Sequence, residues 1–158
     1  MKIAHIYASN AKINSGDYML GISTKWYIKH NIFKNKEIIF QDLDCRNSNL
    51  FDNNNINKLN NFDIIMVGGG GLILPDTSPN KNSTWQWNIS IENMKKIIKP
   101  IYVISIGYNL FYNQDMTMQN RDNNNKNLNI LPIFKESITT LIKYATYFSM
   151  RHQGDINS

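Results

Sequence analysis

Apolar residues along this chain fall into two rhythms that alternate. Short, nearly continuous runs occur at Lys2 to Ala8, Glu37 to Asp44, Phe62 to Gly68, Ile101 to Gly107 and Thr146 to Arg151. Such runs, with little strict alternation, suit strands covered on both faces. Between them the spacing turns helical. From Asp17 onward, Met19, Leu20, Ile22, Trp26, Tyr27 and Phe33 recur at helical intervals, and Trp87 to Lys99 predicts a helix that must stop before Pro100. Leu131, Phe134, Ile138, Leu141, Ile142 and Ala145 form an amphipathic stripe in a third helix. A weaker, Asn-rich stretch after the second strand has room for one short helix near Ile56 to Leu59. The pattern predicts an α/β fold: a Rossmann-like parallel sheet of about five strands with helices on both faces, residues 1–158 making one domain. The connection from Tyr108 to Asn127 is longer than most and is a candidate lid.

Composition narrows the class. At 158 residues, 42% hydrophobic and 18% charged, the chain can bury one domain's core. The formal net charge is +5, but the lysines are scattered and form no basic stripe, which argues against nucleic acid as a partner. The charge permits a mild affinity for anionic substrates or for peripheral association with a membrane surface. A single cysteine, Cys45, rules out an intrachain disulfide framework and suits a reducing compartment. The apolar run at the start is too short for a signal peptide, and none is long enough to span a bilayer. A cytoplasmic location is therefore expected, at most against the inner face of the membrane.

Parallel sheets of this kind bind ligands beyond the carboxyl ends of their strands. Four polar or glycine-rich loops are expected on that rim: Asn14 to Asp17, the run Gly68 to Gly71, Gly107 to Phe111, and Arg151 to Asp155 with His152. The four glycines do not make a dinucleotide fingerprint, because Ile73 and Leu74 stand where its third glycine belongs, and no P-loop ending is present. What remains is a glycine turn whose bare amides let a sugar or an anion approach. Asp17, after Gly16, is a candidate cap for the first helix, whose free amides would suit a phosphate or a sugar hydroxyl. His5 reads as a structural contact within its strand, and His30 as a cation near a helix end. Trp85 and Trp87 read as sheet-packing aromatics, and Cys45 as inert. No His, Cys, Asp or Glu grouping has metal-ligand spacing.

Taken together, "NSGDYML", "FDIIMVGGGGLILP", "PIYVISIGYNLF" and "YFSMRHQGD" resemble, in order and spacing, the polysaccharide pyruvyl transferase family. The resemblance implies one half of a GT-B-like pair of Rossmann-like domains that moves a pyruvyl group from phosphoenolpyruvate onto sugar hydroxyls. It implies no cofactor beyond phosphoenolpyruvate as donor substrate, and a sugar or lipid-linked sugar as acceptor. By matching motif, Asn14, Gly16, Asp17, Gly69, Gly70 and Gly71 would line the acceptor side, Asn109 would sit on the rim, and Arg151 would reach an anion. Asp17 and Arg151 are the catalytic candidates. Family members are roughly twice this length. The chain is thus expected to be the N-terminal half, lacking the C-terminal domain and inactive alone. A glycosyltransferase-like sugar-nucleotide enzyme and a non-catalytic glycan-binding module are the alternatives.

Overall fold

The structure, a computed structural model, describes residues 1–10, 12, 14–34, 36–74, 80–108, 119–121, 127–129 and 131–151. In chain order its elements are β1 (Lys2–Tyr7), α1 (Ser15–Tyr27), β2 (Ile39–Asp44), β3 (Ile64–Ile73), α2 (Ile91–Lys95), β4 (Ile101–Tyr108), β5 (Gln119–Arg121), β6 (Asn127–Asn129), α3 (Leu131–Tyr144) and β7 (Ala145–Met150). A π turn, Ile28–Ile32, extends α1, and 3-10 turns occupy Ser48–Leu50 and Ile56–Asn61.

Five strands form one sheet in the order β2-β1-β3-β4-β7, every neighbouring pair parallel. This is the α/β, Rossmann-like arrangement expected. The chain moves outward from β1 to β2, then returns past β1 to β3 and proceeds the other way. The switch point therefore lies between β1 and β3, where right-handed crossovers leave on opposite faces. Neighbouring residues confirm that both faces are covered. Ile3 and Met66 pack with Ile28 behind α1, whereas Ala4 and Val67 join the larger core with Met94 of α2 and Phe134 and Leu141 of α3. Within the expected Tyr108–Asn127 connection, β5 pairs antiparallel with β6; the rest of that lid candidate lies outside the described residues.

Three expectations are corrected. The first concerns α1, whose apolar positions do not face the sheet. Met19, Leu20, Trp26 and Tyr27 are exposed, and Gly21 is buried. The reason is steric: a Cβ at Gly21 would stand 2.1 Å from the Tyr7 ring, and a Cβ at Gly69 would stand 3.4 Å from the Gly21 Cα. The helix sits so close to the sheet that only small side chains fit beneath it. Gly21→Ala is accordingly expected to cost about 2 kcal/mol through overpacking, read as a lowered denaturation midpoint at unchanged m-value. Tyr7 cannot readily step aside, because its hydroxyl donates to Asp42 Oδ2 at 3.0 Å and its ring stacks on His5.

The second correction concerns Trp87 to Lys99, of which only Ile91–Lys95 is helical. Upstream, side chains satisfy the backbone in place of a helix. Asn80 Oδ1 accepts from the backbone N–H groups of Asn82, Ser83 and Thr84, and Ser83 Oγ donates to the Trp87 carbonyl. The segment then runs across the carboxyl rim, Gln86 N–H donating to Leu72 O and Asn88 N–H to Cys45 O. Alternate residues Trp85, Trp87 and Ile89 are wholly buried, and Trp85 Nε1 donates to Ser137 Oγ of α3. Both tryptophans are core residues, as expected. Ser90 caps the helix, its Oγ accepting from the Asn93 N–H.

The third correction is the glycine run. It is not a turn after β3 but the second half of β3, which continues to Ile73 with every residue from Ile65 buried.

Candidate functional site

Asn14, not Asp17, is the N-cap of α1. Its extended backbone leaves Oδ1 free to accept from the Asp17 N–H at 3.1 Å, while its Nδ2 donates to Asp17 Oδ2 at 2.7 Å. Asp17 is thus the third helical residue, locked to the cap from both ends in the manner of a capping box. The other carboxylate oxygen lies against β3: a Cβ at Gly70 would be 2.7 Å from Asp17 Oδ1. The Asn14–Asp17 loop and the glycine run, far apart in sequence, therefore touch at the switch point.

The glycines themselves face their own chain. A Cβ at Gly69, where φ is +88°, would meet Thr24 Oγ1 at 3.2 Å, so α1 fills that position. At Gly68, φ is +129° and a Cβ would collide with the Ile104 carbonyl oxygen. Gly71 is buried within the strand. Gly16 lies beside the cap, 3.3 Å separating its notional Cβ from Asn14 Oδ1. The backbone expected to lie open to a ligand instead admits Asp17, Thr24 and Gly21.

Arg151 follows β7, and its N–H donates to the Ile106 carbonyl at 2.9 Å. Its guanidinium lies flat on Gly107, within 3.0–3.2 Å of where a Cβ would project. Ile106 and Met150 pack into the larger core, so the alternation of strand side chains turns Gly107 and Arg151 to the α1 face. Gly70 registers with Ile106 on the adjacent strand. At the carboxyl rim Asp17 of α1 is seated over Gly70 of β3, and Arg151 over Gly107 of the neighbouring strand β4. Asn109 and His152 lie outside the described residues.

His5, expected as a structural contact, heads a polar line through Tyr7 and Asp42 to Lys25 that was not anticipated. His5 Nε2 bonds the Gly68 carbonyl at 3.0 Å; since a carbonyl only accepts, Nε2 carries the proton and Nδ1 is left as a buried acceptor with no partner among the described residues. Burial lowers the His5 pKa to about 4, against the opposing pull of the Gly68 carbonyl and Asp42. Burial, then the bond to Asp42, raises the Tyr7 hydroxyl. Lys25 reaches Asp42 at 2.6 Å; the pair is partly exposed and is worth at most about 1 kcal/mol. Cys45 is buried and, chiefly for that reason, pushed up to about 12, which fits the expected inertness.

Arg46 was not anticipated. It follows β2 at the rim, its Nε donating to Gln86 Oε1 at 2.6 Å while Nη1 is buried with no partner among the described residues. The available signal was a charged residue directly after a strand of a doubly wound sheet. Among the described residues no group of three His, Cys, Asp or Glu could hold a metal ion, and no helix is long and apolar enough to cross a membrane. Comparison with protein-family models, curated proteins and solved structures finds no match to this chain.

Proposed function

We propose that this chain is the acceptor-binding half of a polysaccharide pyruvyl transferase-like enzyme with a GT-B-like second unit. One observation supports the reading above the others: Asp17 of the N-x-G-D loop rests on Gly70 of the glycine run, uniting the two motifs that carry the resemblance. In the reaction, protonation of phosphoenolpyruvate at its methylene carbon makes the neighbouring carbon electrophilic. Two sugar hydroxyls add there and the C–O bond to phosphate breaks, leaving a cyclic ketal and inorganic phosphate. Asp17, its orientation fixed by Asn14, would accept from an acceptor hydroxyl, and Arg151 would offer the planar fork that suits a carboxylate or phosphate. The glycines act indirectly, by letting those two side chains lie against the sheet.

Ligand-observed NMR titration of this chain tests the reading. A nucleotide-linked sugar is expected to bind, and Asp17→Asn or Gly70→Ala to weaken it roughly tenfold, as losing a charge-assisted hydrogen bond would. Phosphoenolpyruvate binding is expected to fall with Arg151→Gln but not with Asp17→Asn. Sugar binding indifferent to both Asp17→Asn and Gly70→Ala overturns the assignment, as does efficient ketal formation by this chain alone. The buried Nη1 of Arg46, without a partner among the described residues, favours a second reading, a glycosyltransferase-like enzyme whose sugar-nucleotide diphosphate meets that guanidinium. Sugar binding abolished by Arg46→Gln and untouched by Asp17→Asn would select it.

A further inference from the structure

The exposed face of α1 is unusual for a surface helix. Met19, Leu20, Trp26 and Tyr27 are 56%, 44%, 60% and 57% exposed, and because Met19 and Trp26, like Leu20 and Tyr27, stand seven residues apart, the four share one side of the helix. His30 stacks on Trp26 one turn further on. Charge in this region has a single sign. From Tyr18 to Lys36 there are four lysines and no carboxylate; Lys25 is turned inward to Asp42, which leaves Lys29, Lys34 and Lys36 exposed.

Exposed aromatic and aliphatic groups bordered by uncompensated lysines match one partner in both chemistry and charge. The lysines suit lipid phosphates, while Trp26 and Tyr27 are the residue types that settle at the headgroup boundary. We propose that this face of α1 docks on an anionic lipid bilayer, the helix lying in the interface plane. Because α1 begins at the sheet's carboxyl rim and runs along one face, docking would hold Asp17 and Arg151 beside the membrane surface. The inference stands on the helix face alone and does not depend on the transferase reading. A second copy of the chain could cover the apolar residues, but the lysines of two such faces would repel each other.

The protein carries its own probe. Of its three tryptophans, Trp85 and Trp87 are wholly buried and Trp26 is exposed. Vesicles of phosphatidylcholine mixed equally with phosphatidylglycerol are expected to sediment the protein and shift its tryptophan emission to the blue; vesicles of phosphatidylcholine alone should do neither. Lys29→Gln is expected to weaken partitioning roughly fivefold, and added salt to weaken it further. Trp26→Ser should remove both the emission shift and most of the binding, and its exposed site leaves the fold intact, which the melting curve verifies. Two results overturn the proposal. One is equal partitioning, or none, on the two vesicle types. The other is concentration-dependent dimerisation abolished by Trp26→Ser in the absence of vesicle binding, which assigns the face to a second copy.

Discussion

Gly68→Ala is expected to destabilise this protein by roughly 4 kcal/mol and to lower its melting temperature by about 10 °C or more. Two costs add at this position. The backbone holds φ at +129°, outside the region open to residues with a side chain, and an added Cβ would stand 2.2 Å from the Ile104 carbonyl oxygen. Neither is relieved by a rotamer change, because the obstacle is backbone of the adjacent strand. His5 adds a further constraint by donating to the Gly68 carbonyl, so the peptide cannot rotate without leaving that bond. Gly16→Ala is the control. Its φ is ordinary and its nearest neighbour is the Asn14 side chain at 3.3 Å, so thermal denaturation should differ from the parent by only about 1 kcal/mol. Equal melting of the two variants would mean that β3 tolerates a side chain at its centre and that the Ile104 carbonyl does not exclude one.

Acidification is expected to remove roughly 3 kcal/mol of stability through His5 alone. Its folded pKa of about 4 lies below the unfolded value of 6.5, so between these limits the unfolded chain binds more protons than the folded one. Stability is therefore fully present above pH 6.5, falls as pH drops, and loses no more from this group below about pH 4. Urea denaturation across that window measures the slope, and His5→Phe, which cannot titrate, isolates it from the carboxylates. Near neutral pH the variant is less stable, because the Gly68 carbonyl loses its donor, but its midpoint should decline less steeply between pH 6.5 and 5. Parallel curves for parent and variant would exclude His5 as the source.

How much was legible in the sequence differed from element to element, for physical reasons. The five strands were readable because doubly covered strands must be apolar on both sides, and their runs carry that requirement locally. α3 was readable because its stripe meets the core as written, with Phe134 and Leu141 buried; Ile142 of the same stripe is exposed. α1 has an equally visible rhythm but the opposite orientation, since Gly21 and Thr24 beneath it decide the contact and small residues leave no hydrophobic signal. The Trp85 to Ile89 segment alternates like a strand within a span that reads as a helix, and its outcome rests on Asn80 and Ser83 supplying hydrogen bonds from outside the pattern.

By itself the sequence determined the class of fold, the positions of the strands and the residues gathered at their carboxyl ends. Periodicity and composition act through neighbours along the chain, and those features need nothing more. Only the tertiary structure decided what the glycines are for. Whether a missing side chain leaves a gap or admits a neighbour depends on what packs there, and the neighbours are α1 and Asp17 at Gly69 and Gly70, the Ile104 backbone at Gly68, and Arg151 at Gly107. The same close seating of α1 turned its apolar stripe outward, a result that no pattern within the helix could specify.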